Sequence, residues 1–348
     1  MVFTFLGNKK HAGGSHMKER LLEILDVAIR YKVSDIHFEM KKTETTQLLT
    51  IEMRVAGIME QLRPKKGDEK LFHYLAYRAN LDVSAQGKPQ SGAFVEKVRG
   101  TPISLRYHIM PSAMNVSGVL RILDLSTKLT IEDLSEDVRV HQWMHRVMSL
   151  HDGMIVLSGA TGSGKTTSLY TMLESVKGKK IVTLEDPIEV FHEGFMQVQV
   201  NEDRHLSYAE GIREFMRQDP DIIMIGEIRD EEAATMAVRS ALTGHLVVTS
   251  IHAPDCKTAL YRLMDLGVKE YHLKDVIKGI SCQKLVDNRK GGLTGIYEIM
   301  DEKQIRWFME HGTVDESFID MEQAEKMFED SFKVEAWQSR PIHVEGRV

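Results

Sequence analysis

The chain has 348 residues, 42% hydrophobic and 28% charged, and its 45 Lys and Arg face 51 Asp and Glu for a formal charge of −6. This length suits two domains of about 150 residues with a small appendage, and the apolar fraction suffices for real cores. No apolar run approaches the ~18 residues of a spanning helix, and the acidic balance argues against wholesale electrostatic capture of nucleic acid or acidic lipid.

In chain order, residues 1–17 stand apart: Gly13-Gly14-Ser15-His16-Met17 resembles an expression scar or a misassigned start, and this tail receives no functional weight. Val2–Leu6 is too short, and lacks the basic lead-in, for a secretory leader. From Lys18 to Arg30, Leu21, Leu22, Leu25, Ala28 and Ile29 mark one face of a helix. Leu48–Val55 alternates, with Leu49, Ile51, Met53 and Val55 on one side, as a half-buried strand does. Strands are also expected at Phe94–Val98 and Ile103–Ile109, around a turn at Gly100–Pro102. Residues 18–123 thus read as an α+β N-terminal domain, and the polar stretch 124–137 as a linker.

Beyond 138 the rhythm changes. Short apolar runs at Met154–Leu157, Ile181–Leu184, Ile222–Ile225 and Leu246–Thr249 alternate with helical stretches at Lys165–Val176, Tyr208–Arg217, Glu231–Leu242 and Lys257–Leu266. Strands buried on both faces and joined by crossover helices predict an α/β domain with a parallel sheet over 138–300. Residues 301–348 are charged and helical in pattern, without a chemical motif.

The segment Gly159-Ala160-Thr161-Gly162-Ser163-Gly164-Lys165-Thr166 satisfies GxxxxGK[ST] between a strand and a helix. Such a loop turns successive N–H groups toward phosphates at the positive end of the helix. Lys165 is expected on the β- and γ-phosphates and the Thr166 hydroxyl on Mg²⁺, with Gly159, Thr161, Gly162, Ser163, Gly164 and Thr167 completing the nucleotide contacts. The cofactors expected are therefore ATP and Mg²⁺. A phosphate loop also needs acids at neighbouring strand ends. Glu185 and Asp186 follow one strand and Glu227 another, although each alone reads more readily as a solvated strand-end acid; paired with the phosphate loop, Glu227 and Glu185 read as functional. His245 and His252 flank Leu246–Ile251. Their spacing of seven puts them at opposite ends of the strand, and His252 is the one directed to the nucleotide crevice.

The blocks Gly159–Thr167, Ile181–Glu189, Asp219–Asp230 and Ala241–His252 together resemble the secretion and pilus-assembly ATPases, the hexameric motors of type II secretion, type IV pili and competence pili. Their order and spacing correspond to that family's Walker A, aspartate, Walker B and histidine boxes. The likeness extends through Ser34–His37, Lys88–Gly92 and Leu105–Leu123, covering about 18–300. It implies a RecA-like parallel-sheet ATPase domain, a smaller PAS-like α+β N-terminal domain and a short helical C-terminal segment. It also implies that Glu227 is the catalytic Walker B glutamate, that Glu185 acts near metal and water, reaching Mg²⁺ directly or through water, and that His245 and His252 sense nucleotide state. Arg106 and Arg121 correspond to arginines brought to the γ-phosphate; by themselves they would read as solvated strand-face charges.

Three departures narrow the subclass. Many relatives carry a tetracysteine zinc insert where only Asp287–Thr294 stands here, so zinc is not expected. Asn115–Ser117 replaces the usual Gly-Glu-Arg, and Ala160 the usual Pro. The resemblance favours a competence-type motor assembling a pilus, leaves retraction open, and sets a nucleic-acid translocase as the rival, which the lack of a basic, aromatic-interleaved stripe disfavours. Expected partners are five further copies in a homo-hexamer and an inner-membrane platform protein, with no stable nucleic-acid contact. The expected location is the cytoplasm, at the inner face of the membrane; the two cysteines, Cys256 and Cys282, form no disulfide framework and suit that reducing compartment.

Overall fold

The computed structural model describes residues 16–42, 47–55, 58–82, 88–112, 115–123, 129–200, 206–288 and 292–338. The chain forms two compact units, Met1–Thr127 with Pro187–Glu193, and Lys128–Asp186 with Gly194–Val348. Residues 1–15, 124–128 and 289–291, which hold most of the expected tail, the first part of the expected linker and the middle of the short segment where relatives carry zinc, lie outside the described residues.

In the first unit, helix α1 (His16–Arg30) precedes β1 (Asp35–Lys42), β2 (Gln47–Val55), β3 (Ile58–Leu62), α2 (Glu69–Arg78), β4 (Gln90–Val98), β5 (Thr101–Pro111) and β6 (Asn115–Leu123). The strands make an antiparallel sheet in the order β3-β2-β1-β6-β5-β4. The helix α1 starts inside the segment set aside as tail. Its buried stripe is Leu21, Ile24, Leu25 and Ala28, while Ile29 faces outward. Leu49, Ile51 and Met53 of β2 point into the same core, as their alternation predicts. The β4–β5 turn is Arg99-Gly100, not Gly100–Pro102. Both residues take positive φ, 50° and 86°, the pattern of a two-residue hairpin whose twist matches its strands. Pro102 is consequently a strand residue opposite Lys97.

The second unit begins within the expected linker. Thr130 and Asp133 close a capping box on α3 (Ile131–Leu134), and Asp137 caps α4 (Val138–Met148). Ile131 and Leu134 are buried in that unit's core, so residues 129–137 are folded structure. The sheet uses β7 (Gly153–Ser158), β8 (Ile181–Glu185), β9 (Phe195–Gln199), β10 (Ile222–Ile225), β11 (Leu246–Ile251), β12 (Ile277–Asp287) and β13 (Leu293–Asp301) in the order β13-β12-β7-β11-β10-β8-β9. All neighbours are parallel except β12 and β13, so the sheet is mixed rather than wholly parallel. Helices α5 (Lys165–Glu174), α6 (Tyr208–Phe215), α7 (Glu231–Leu242), α8 (Cys256–Asp265) and α9 (Glu270–Val276) connect the strands. The C-terminal segment is no appendage. From α10 (Glu302–His311) to α11 (Met321–Gln338), Ile305, Phe308 and Phe318 enter the same core as Ile223 and Val247 of the central strands. Among the described residues no helix is long and apolar enough to cross a membrane.

Candidate nucleotide site

Four parallel strands, β7, β11, β10 and β8, bring their carboxyl ends to one side of the second unit. The first ends at Ser158 and runs through Gly159–Gly164 into α5. Glycine is required at 159: its φ is 139°, and a Cβ there would lie 2.5 Å from the Gln283 carbonyl and 2.7 Å from Ser163 Oγ. Gly164, the N-cap of α5, is also left-handed, with φ 87°. The Lys165 ammonium folds back over the loop, donating to the carbonyls of Gly159 at 2.8 Å and Ala160 at 2.9 Å. Its burial pulls it below the ordinary lysine range, partly offset by the negative Glu227. Thr166 is half-buried on the first turn of α5; Thr161, Gly162 and Thr167 are exposed, and Ser163 is buried.

Gly226 N donates to the Leu184 carbonyl of β8 and Ile228 N to the Ser250 carbonyl of β11, which laces the residue between them, Glu227, into the strand ends. One Glu227 carboxylate oxygen accepts from Arg229 Nε at 3.1 Å, and the other is 3.4 Å from His252 Nε2. Arg229 Nη1 also reaches Asp186 at 3.3 Å. Burial opposes the charge on Arg229, but Glu227 and Asp186 outweigh it and hold the guanidinium above its usual pKa. Glu227 and His252 therefore meet at the strand ends. Arg229 and Asp186 complete a network that motif reasoning did not assign, although both lie within the blocks it used.

Glu185 is placed differently from a solvated strand-end acid. It is 3% exposed, and its carboxylate accepts from Tyr170 OH, from Thr183 Oγ1 at 2.6 Å and from Gln197 Nε2 at 3.2 Å. Strand alternation turns 185 inward and 186 outward, so Asp186 is the acid that shares the Arg229 network. His245 is not brought to the loop. It sits before β11, where its carbonyl accepts from Gly153 N at the start of β7, and its Nδ1 lies 3.1 Å from the Ser240 carbonyl. Seven residue steps along β11 separate it from His252, roughly 23 Å at ~3.3 Å per residue.

Arg106 and Arg121 belong to the first unit, directly opposite one another on β5 and β6. Arg121 Nε donates to Asp35 at 2.8 Å, and Arg106 Nε lies 3.4 Å from Ser91 Oγ. Partial burial pushes Asp35 upward, but the hydrogen bonds from Arg121 and Ser34 prevail and hold it below its ordinary value.

Among the described residues, no three or more His, Cys, Asp or Glu side chains are grouped to hold a metal. Cys256 and Cys282 are buried in the second unit, their sulfurs directed at backbone carbonyls of Glu298 and Pro254. Thr166, Glu185 and Glu227 offer only oxygen donors, the type that suits a hard divalent cation sharing its shell with phosphates.

A glycine loop between a parallel strand and a helix, with Lys165 and Thr166 at its end and an acid at a neighbouring strand end, defines a phosphate-loop ATPase. The chain belongs to the type II/IV secretion system protein family, whose profile matches residues 11–330, and it is an ATP hydrolase of that family. It is 35% identical over 269 residues to the competence protein ComGA of Bacillus subtilis strain 168, covering 76% of this chain and 74% of that one. To the type II secretion system ATPase E of Vibrio cholerae it is 36% identical over 269 residues, covering 76% of this chain but 52% of that protein. Among solved structures, it superposes on the pilus retraction motor PilT with bound ADP at a TM-score of 0.66, with 25% identity, covering 91% and 89% of the two chains. The Legionella pneumophila ATPase DotB shares the fold, at a TM-score of 0.70 and 20% identity over 93% of this chain and 96% of that one.

Proposed function

We propose that this chain is the ATP-driven motor that assembles a competence or type IV pilus, working as a ring of six copies against an inner-membrane platform protein. The observation that carries the competence assignment is internal to the chain: the cysteine-free stretch Asp287–Thr294 is too short for the tetracysteine zinc insert of many type II secretion relatives. Likeness to two ComGA proteins, at 35% and 36% identity over 76% and 77% of this chain, supports the same subclass.

At the site, the phosphates of ATP replace the Gly159 and Ala160 carbonyls as partners of the Lys165 ammonium. Thr166 would hold Mg²⁺, with Glu185 reaching it or its water only if Tyr170 and Thr183 release the carboxylate. The metal supplies shielding of phosphate charge. Glu227 orients the attacking water and takes its proton, with His252 and Arg229 steering the carboxylate. Arg106 and Arg121 deliver positive charge to the γ-phosphate when the domains close, so that hydrolysis and domain motion are linked. His245 has no part in the chemistry at the loop of its own chain.

Deleting the gene in its native host and complementing it with wild type or Glu227→Gln tests the assignment. Loss of pili and of DNA uptake, restored by wild type alone, is the expected result. Intact uptake with lost protein secretion would contradict it. The likeness to PilT favours retraction as the second reading, which predicts an excess of surface pili in the deletion strain.

A further inference from the structure

We propose that Gln283, on β12, is a positioning residue that sets the last peptide of the phosphate loop so that the Gly164 N–H is presented to a bound phosphate. The proposal rests on the reading of 159–166 as the phosphate site and adds to it a residue from a strand that carries none of the four boxes.

The register places Gln283 beside the loop. Cys282 pairs with Ser158, the last residue of β7, so the next residue of β12 lies alongside Gly159. Its main-chain carbonyl occupies the space a Cβ at 159 would need. Its side chain reaches the other end of the loop, where Nε2 donates to the Ser163 carbonyl at 2.6 Å. A Cβ at Gly164 would approach that same nitrogen to 3.2 Å. One residue thus grips both ends of the loop, and both glycines face it.

The consequence for phosphate binding follows from peptide geometry. In a planar trans peptide the C=O and the following N–H point in opposite directions. Fixing the Ser163 carbonyl toward β12 therefore aims the Gly164 N–H away from β12, on the side opposite the Gln283 amide. A donor oriented before the ligand arrives spares the ordering cost of binding.

The burial of the amide supports a role beyond packing. Gln283 is 2% exposed and its Oε1 has no hydrogen-bond partner. An orphaned buried acceptor destabilises the fold, a cost that leucine at the same position would not carry. What the amide offers in return is its bond to the Ser163 carbonyl, which leucine would leave unpaired.

Gln283→Leu, Gln283→Glu, Lys165→Ala and wild type are titrated with ATP and Mg²⁺ by calorimetry, and melted without nucleotide. Gln283→Leu exchanges the orphaned Oε1 for a stranded Ser163 carbonyl, so it should melt close to the wild-type temperature yet bind ATP about tenfold more weakly, the loss expected for one hydrogen bond. Gln283→Glu sets an ionised carboxylate against the Ser163 carbonyl at about pH 8. Protonation, eased by burial, turns it into a donor, so its affinity relative to wild type should recover toward about pH 5.5. Wild-type affinity in Gln283→Leu, or an affinity ratio for Gln283→Glu that stays flat with pH, overturns the role. Should Gln283→Leu fail to fold, the pH arm decides alone. Lost binding in Lys165→Ala beside normal binding in Gln283→Leu refutes only Gln283; normal binding in Lys165→Ala refutes the phosphate-loop reading itself.

Discussion

Tyr297→Phe probes how the helix that carries Lys165 is held to the sheet. Tyr297 OH and Ser168 Oγ are 2.8 Å apart and buried, 4% and 1% exposed, joining β13 to α5 one turn beyond the lysine. Removing the phenol oxygen strands the serine hydroxyl, which costs about 1–3 kcal/mol. At about 2–4 °C per kcal/mol for a unit of this size, the melting temperature should fall by about 2–12 °C. Burial pushes the Tyr297 phenol up to about 12, with the Ser168 hydrogen bond pulling slightly the other way. The folded value lies above the unfolded value of about 10, so the fold prefers the protonated phenol. Its contribution is complete below pH ~10 and is lost as pH rises toward 12, a loss that phenylalanine cannot show. Urea unfolding followed by tryptophan fluorescence reads the second unit, because Trp143, Trp307 and Trp337 all lie within it. Equal stability of variant and wild type at pH 8, or a difference that does not shrink between pH 10 and 12, would refute the reasoning.

Arg121→Ala should leave ATP affinity within a few fold while steady-state turnover falls by at least ~10², toward the range of an arginine finger. Wild-type turnover would remove it from the chemistry. Burial raises the Cys256 thiol well above its usual range and Cys282 to about 11, so neither should react with a thiol reagent in the native protein at pH 8. Both should react after denaturation, and rapid native labelling of either would contradict its placement.

The second unit's sheet was legible because strands buried on both faces form continuous apolar runs, and because the phosphate loop needs glycine where few other residues fit. The short β3, with its exposed Ile58 and Met59, offered no comparable pattern. Gln283 and Tyr170 carry no motif, since their roles come from cross-strand and helix–strand proximity that spacing along the chain does not encode. His245 lies at the far end of β11 from His252, where the spacing of seven between them places it. The C-terminal segment was hard to read because its buried apolar residues among those described, Ile305, Phe308, Phe318 and Ala324, are scattered among charges.

The central claim is that Gly159–Thr166 and Glu227 form one site that binds and hydrolyses ATP. Glu227→Gln keeps the side chain's length and a hydrogen-bonding oxygen while removing the carboxylate that takes the water's proton. ATP binding and single-turnover hydrolysis measured on this variant test the claim directly. The predicted result is wild-type ATP affinity with the nucleotide trapped and turnover reduced by at least ~10². Hydrolysis at the wild-type rate would contradict it.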